Sequence, residues 1–138
     1  MHRLTIALIG LGLVWGLVGT AAAQSTASVQ VTPNPQLGSI LTDGSGMTLY
    51  RFTRDESGVS NCYDQCATNW PAALVVSGDP VPPAGLSGTL TIVTRRDGGR
   101  QLAYNGMPLY RSSRDSAPGD TNGQGLNNVW FVVEAAGS

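Results

Sequence analysis

A ten-residue block occurs twice in this chain. Gly46-Met47-Thr48-Leu49-Tyr50-Arg51-Phe52-Thr53-Arg54-Asp55 returns as Gly106-Met107-Pro108-Leu109-Tyr110-Arg111-Ser112-Ser113-Arg114-Asp115, 60 positions later, with seven of ten residues identical. Trp70 and Trp130 stand at the same offset. In a chain of 138 residues, each copy is too short to bury its own core. The pattern therefore predicts two pseudo-symmetric halves, about 37–76 and 88–134, that stabilise each other. Ser77 to Ser87 contains Pro80, Pro82 and Pro83 and reads as a stiff connector between them.

The first 23 residues have the order of a secretory signal peptide. A short positive start, Met1-His2-Arg3, precedes an apolar run from Leu4 to Val18 and the small-residue site Ala21-Ala22-Ala23. The run of about 15 residues falls short of the about 20 that a membrane helix needs. Cleavage is expected after Ala23, placing the mature chain in the periplasm or outside the cell, with no later membrane span. Residues 24–36 read as a flexible N-terminal segment that can supply an edge strand at Val29 to Val31, since Pro33 and Pro35 exclude a helix. Residues 37–138 then form one β-repeat domain.

Alternating apolar residues separated by glycine-rich turns predict strands at Leu37–Thr42, Met47–Thr53, Thr89–Thr94, Gln101–Tyr104, Met107–Tyr110 and Val129–Val133. The last is apolar enough to be buried on both faces. Asn105-Gly106 is a hairpin turn, because both residues tolerate positive φ. One stretch departs from this pattern. Cys62, Cys66 and Trp70 recur at helical spacing, with Ser60 as N-cap and Pro71 as stop. The fold class expected is all-β with one short helical segment near residues 60–70, in a small sandwich or barrel.

Three features carry a family resemblance: the repeated Gly-x-x-Leu-Tyr-x-x-x-x-Asp, the run from Cys62 to Pro71, and Gly106-Met-Pro-Leu-Tyr110 with the later Pro118 to Trp130. The chain resembles the family of secreted repeats of unknown function, whose members include predicted lipoproteins marked by Tyr-x-aromatic-x-x-Asp. The resemblance spans about Leu37 to Glu134 and implies a secreted or surface protein with no assigned activity. The chain departs from the family twice. It lacks the lipid-bearing cysteine, and Ser112 stands where the second motif should have an aromatic residue.

The inventory of side chains excludes most catalytic machinery. The chain has no Lys, and its single His, His2, lies in the leader. The mature chain therefore has no Ser-His-Asp triad, Cys-His pair, Schiff-base lysine or imidazole metal ligand. Removing Arg3 with the leader leaves seven Arg against nine acidic residues, which offers no basic excess for nucleic acid. Among the motif residues, Tyr50 and Phe52 share a strand face and are expected in the core, with Asp55 accepting backbone N–H bonds in a turn. Tyr110 and Asp115 are the counterparts of Tyr50 and Asp55, and Trp70 and Trp130, the counterparts of each other, are expected to be largely buried. A sharper alternative makes Asp55 and Asp115 a carboxylate pair of a hydrolase, as in glycosidases. Arg54 and Arg114 beside them are expected to pair with acids and keep them ionised.

Cys62 and Cys66 are expected to form a disulfide in an oxidising compartment, either kinking the helical turn or making the segment an irregular loop, since Cβ atoms four residues apart on an ideal helix stand too far apart. The alternative is a redox or copper-handling protein in which the two thiolates act with Met47 or Met107. The leading expectation is an exported non-catalytic β-repeat protein of the envelope or extracellular space. It would have a binding or structural role, no cofactor, and an envelope or extracellular partner of unknown identity.

Overall fold

The computed structural model describes residues 28–135. Residues 1–27, which hold the leader, its cleavage site and the start of the N-terminal segment, and residues 136–138 lie outside them. Seven strands follow in order: β1 (Val29–Asn34), β2 (Gly38–Asp43), β3 (Tyr50–Phe52), β4 (Leu90–Thr94), β5 (Arg100–Tyr104), β6 (Met107–Pro108) and β7 (Trp130–Val132). One short helix, α1 (Gln65–Asn69), follows β3, and a 3-10 turn, Leu126–Asn128, precedes β7. The strands form three small antiparallel sheets, β1-β2, β3-β7 and β4-β5-β6. Isolated bridges stitch these together, including Ile40 to Glu134, Tyr50 to Tyr110 and Leu74 to Gln101. The strands do not close into a barrel.

The alternation of the strands explains the layering. Ile40, Tyr50, Tyr110 and Val132 pack into an aromatic cluster. Their chain neighbours Leu41, Leu49, Leu109 and Val133 pack into an aliphatic one. Successive side chains on a strand point to opposite faces, so the strands run between two small cores. The last strand is less enclosed than expected: Phe131 is half-buried, and Arg51 lies over its ring at 5.2 Å.

The halves are related bond by bond. Thr53 N donates to Val129 O as Ser113 N donates to Asn69 O, both at 2.9 Å. Val133 N to Leu49 O matches Ala73 N to Leu109 O. At the join, Tyr50 N donates to Tyr110 O and Tyr110 N donates back to Tyr50 O, at 2.8 and 2.9 Å. Before the repeated block the offset becomes 61: Val31 faces Leu41 in the first half, and Ile92 faces Leu102 in the second. The turns account for the extra residue, since three residues separate Asp43 from Met47 but only Asn105 and Gly106 separate Tyr104 from Met107.

Three local expectations change. The N-terminal strand runs on to Asn34 through Pro33, which pairs with Ser39. Asn34 Oδ1 accepts from Gln36 N and Leu37 N and so sets the hairpin turn. The helix covers only Gln65–Asn69, not 60–70, because Asp64 takes a non-helical backbone with φ 56° and ψ −124°, and the helix cannot extend back through it. Ser60 is not its cap; its hydroxyl is buried against Tyr110.

Asn105 and Gly106 turn with φ of 51° and 86°, as a two-residue type I′ connection requires. A Cβ on Gly106 would also meet Ser57 Oγ at 2.5 Å. Gly106→Val is expected to destabilise the protein by more than about 1 kcal/mol, because a β-branched residue is strained at positive φ. An unchanged melting temperature would contradict this.

Candidate functional site

The motif residues of the two repeats meet in the interior, each serving the other half. Tyr110 OH donates to Asp55 Oδ2 at 2.6 Å, and Tyr50 OH donates to Asp115 Oδ2 at 2.7 Å. The second oxygen of each carboxylate is also used. Asp55 Oδ1 accepts from Asn61 N at 2.7 Å, and Asp115 Oδ1 accepts from Asn122 N at 2.8 Å. Asn61 and Asn122 in turn donate their side-chain amides to the carbonyls of Arg54 and Arg114. Each aspartate thus pins the loop that follows its own strand and receives a tyrosine from the other repeat.

The expected Arg54 and Arg114 pairing is replaced by this arrangement. Both arginines are exposed, and the ion pairs among the described residues are Arg95–Asp97 and Arg111–Asp43. Hydrogen bonds satisfy the two motif carboxylates instead. Burial raises the Asp55 carboxyl above the ordinary aspartate value; the Tyr110 and Asn61 hydrogen bonds and the Arg95 charge oppose that rise. Burial, followed by the aspartate each one bonds, raises both tyrosine hydroxyls well above their ordinary value, so they act as donors rather than acids.

Sequence reasoning missed Arg95. It is 5% exposed and donates to Ser60 Oγ at 3.0 Å, Gln101 Oε1 at 2.8 Å and Cys62 O at 2.9 Å. Its guanidinium also lies 4.3 Å from the Tyr63 ring centroid. Ser60 Oγ is 2.6 Å from Tyr110 OH, so a buried polar chain runs from Arg95 through Ser60 and Tyr110 to Asp55. In sequence, Arg95-Arg96-Asp97-Gly98 reads only as a turn, and nothing in that pattern marks Arg95 as buried. The other repeat substitutes backbone for this chain: Gly123 N donates to Tyr50 OH at 3.2 Å.

Beside these bonds lies a stack of rings. Trp70 and Trp130 are parallel at 3.9 Å, and Phe52 stacks on the far side of Trp130 at 4.2 Å. Tyr50 meets Trp70 edge-on at 5.3 Å, and Tyr110 meets Trp130 likewise at 5.1 Å. Trp70 and Trp130 are 5% and 3% exposed. Gly123 is required here for space, because a Cβ would lie 2.6 Å from the Trp70 ring.

Cys62 and Cys66 are bonded to each other, with Cα atoms 5.3 Å apart. Cys62 precedes the helix, so the bridge closes across the non-helical, positive-φ Asp64 rather than along an ideal helical turn. Cys62 is fully buried against the aromatic cluster and Cys66 is half-buried. Met47 and Met107 are half-buried, and Met107 lines a surface cleft with Arg51, Tyr104, Phe131 and Glu134. No three His, Cys, Asp or Glu side chains converge as a metal site among the described residues. The exported chain is expected to weigh two hydrogen atoms less than its reduced form. A five-residue ring stabilises at the low end of the about 0–5 kcal/mol range, so reduction should lower the melting temperature little. Free thiols with one bound copper in the intact mass would overturn this expectation.

Two surface cavities stand near the motif. The cleft lined by Met107 has a volume of about 330 Å³. The second, of about 310 Å³, is lined by Trp70, Ser112 and the residues around them. Asp55 and Asp115 line neither.

No helix among the described residues is long and apolar enough to cross a membrane. No curated protein and no solved structure matches the chain. A family model described as a secreted repeat of unknown function matches residues 31–74 and again 91–134. The two matches begin 60 residues apart and together take in both repeated blocks, both tryptophans and the cysteine pair: the chain belongs to the family of secreted repeats of unknown function.

Proposed function

We propose that this chain is an exported, non-catalytic β-repeat module of the periplasm or extracellular space, matured by cleavage near Ala23, that binds or supports an envelope partner. The observation that carries this reading is the reciprocal use of the motif. Tyr50, Tyr110, Asp55 and Asp115 bond one another across the repeats, and the carboxylates also hold the backbone of their own loops. Groups committed in this way assemble the fold. A general acid and base, by contrast, must face a shared substrate cleft. Recognition then falls to the surface, where the cleft beside β7 offers the Arg51 guanidinium, the Tyr104 and Phe131 rings and the Glu134 carboxylate.

The mature protein, immobilised, is expected to retain a saturable partner from the source envelope fraction. Arg51→Glu should weaken that capture while leaving the fold intact. A hydrolytic activity of the purified protein that vanishes in folded Asp55→Asn or Asp115→Asn would overturn the reading.

A further inference from the structure

Symmetry provides for two ion pairs between the repeats, and the chain closes one. Arg111 pairs with Asp43, whose side chain is 2% exposed. The operation that exchanges the halves carries Arg111 to Arg51 and Asp43 to Tyr104: Leu49 N donates to Leu41 O as Leu109 N donates to Leu102 O, and Asp43 meets Met47 as Tyr104 meets Met107. Arg51 therefore has a tyrosine where Arg111 has an acid. The Tyr104 hydroxyl is spent on the connector, donating to Ser87 O at 2.9 Å. Its ring lies beside Gly88, where a Cβ would meet it at 2.6 Å. Among the described residues Arg51 makes no ion pair. Arg51 and Tyr104 line the cleft of about 330 Å³, with Met107, Phe131 and Glu134.

We propose, on the reading of this cleft as the recognition surface, that it binds a small monocarboxylate with a short apolar chain. Arg51 holds the anion as Arg111 holds Asp43, and the chain lies against Met107 and Phe131. The first half supplies the template, since it sets a carboxylate on the equivalent arginine. A guanidinium receives a carboxylate through two parallel N–H bonds. Arg51, Met107 and Phe131 are half-buried, so each keeps open surface in the cleft. The Phe131 ring, 5.2 Å from the guanidinium carbon, steadies the cation without neutralising it. Partial burial makes such a pair worth more than one in open water. Glu134 lines the same cleft and is exposed. Its charge opposes a second anionic group on the ligand, which selects a monoanion over a dianion. The volume sits at the lower end of the about 300–1,000 Å³ of ligand pockets and suits a free small molecule.

Hexanoate titrated into the purified mature protein is the probe, followed by the Arg51 Nε–H and Met107 methyl resonances. Saturation with a Kd at or below about 1 mM is expected. Hexanamide, equal in length but neutral, is expected to bind at least about 10-fold more weakly, as is hexanoate to Arg51→Gln. Adipate, which ends the chain in a second carboxylate, is expected to lose at least about 10-fold as well. Tyr104→Asp should abolish binding by giving Arg51 the acid that Arg111 has; if that variant does not fold, Arg51→Gln carries the test. Absence of saturation below about 10 mM, equal affinity for hexanoate and either analogue, or undiminished binding to Arg51→Gln or to a folded Tyr104→Asp would each overturn the proposal. Capture of an envelope partner that Arg51→Glu weakens, with no binding of hexanoate, would overturn the carboxylate ligand and leave the cleft as the recognition surface. Hexanoate binding with no partner captured would support the ligand and count against the partner.

Discussion

Trp130→Ala is expected to cost about 3–5 kcal/mol, as large aromatic truncations in a packed core do. Trp130 is the middle ring of the stack, with Trp70 on one face, Phe52 on the other and the Tyr110 ring against its edge. Its removal takes away both faces of parallel contact and leaves a cavity bounded by rings from both repeats. The neighbouring strands cannot close on it, because the Tyr50–Tyr110 backbone bonds fix their separation. A domain of this size holds about 5–15 kcal/mol in total, so the variant should unfold at much lower urea and sit close to instability at 37 °C. Phe52→Ala removes only the outermost ring and should cost less. Urea unfolding of both variants checks the order; a Trp130→Ala loss below about 1 kcal/mol, where surface substitutions fall, would show that the stack is not what joins the halves.

The sequence carried the architecture well because two kinds of signal repeat in it. The 60-residue offset announced the halves, and the alternation around Tyr50 and Tyr110 placed their strands. The Asn105-Gly106 turn was legible because its chemistry is local: positive φ at two successive positions selects those residues. The helix was legible only in part. Cys62, Cys66 and Trp70 share helical spacing, yet they lie at the aromatic cluster because a positive-φ turn at Asp64 and a short helix bring them there. Spacing cannot distinguish a helix face from a loop that returns to the same place. The Tyr–Asp exchange was hidden for a different reason. Tyr110 and Asp55 are 55 residues apart, and a single sequence gives no sign that a tyrosine serves the other copy's aspartate. Arg95 was less visible still, since its partners Ser60, Gln101 and Cys62 come from three separate segments.

Asp55→Ala is expected to cost about 2–4 kcal/mol, because it strips a charged acceptor from two groups at once and leaves the buried Tyr110 hydroxyl with Ser60 alone. Asp55 is 6% exposed, and Tyr110 is fully buried. Its counterpart Asp115 is half-exposed, so water can replace much of what Asp115→Ala removes, and the loss there should be smaller. This asymmetry between symmetry-related residues separates a structural role from a shared catalytic one, which would need both carboxylates. The pH response follows from burial. The folded value of Asp55 is raised, so the folded state binds its proton more tightly than the unfolded chain does. Its contribution is therefore most favourable below the ordinary aspartate value and declines as pH rises through the raised folded value. Asp97 and Asp120 act in the opposite sense. Backbone N–H bonds lower both, so their stabilisation is present above the ordinary value and is lost as pH falls through the lowered one. Asp55→Asn removes that falling slope, and its stability should decline less than the native protein's as pH is raised from the ordinary aspartate value towards neutrality. Urea unfolding over that window measures both slopes; parallel curves would mean that Asp55 titrates in the folded protein as it does in the unfolded chain.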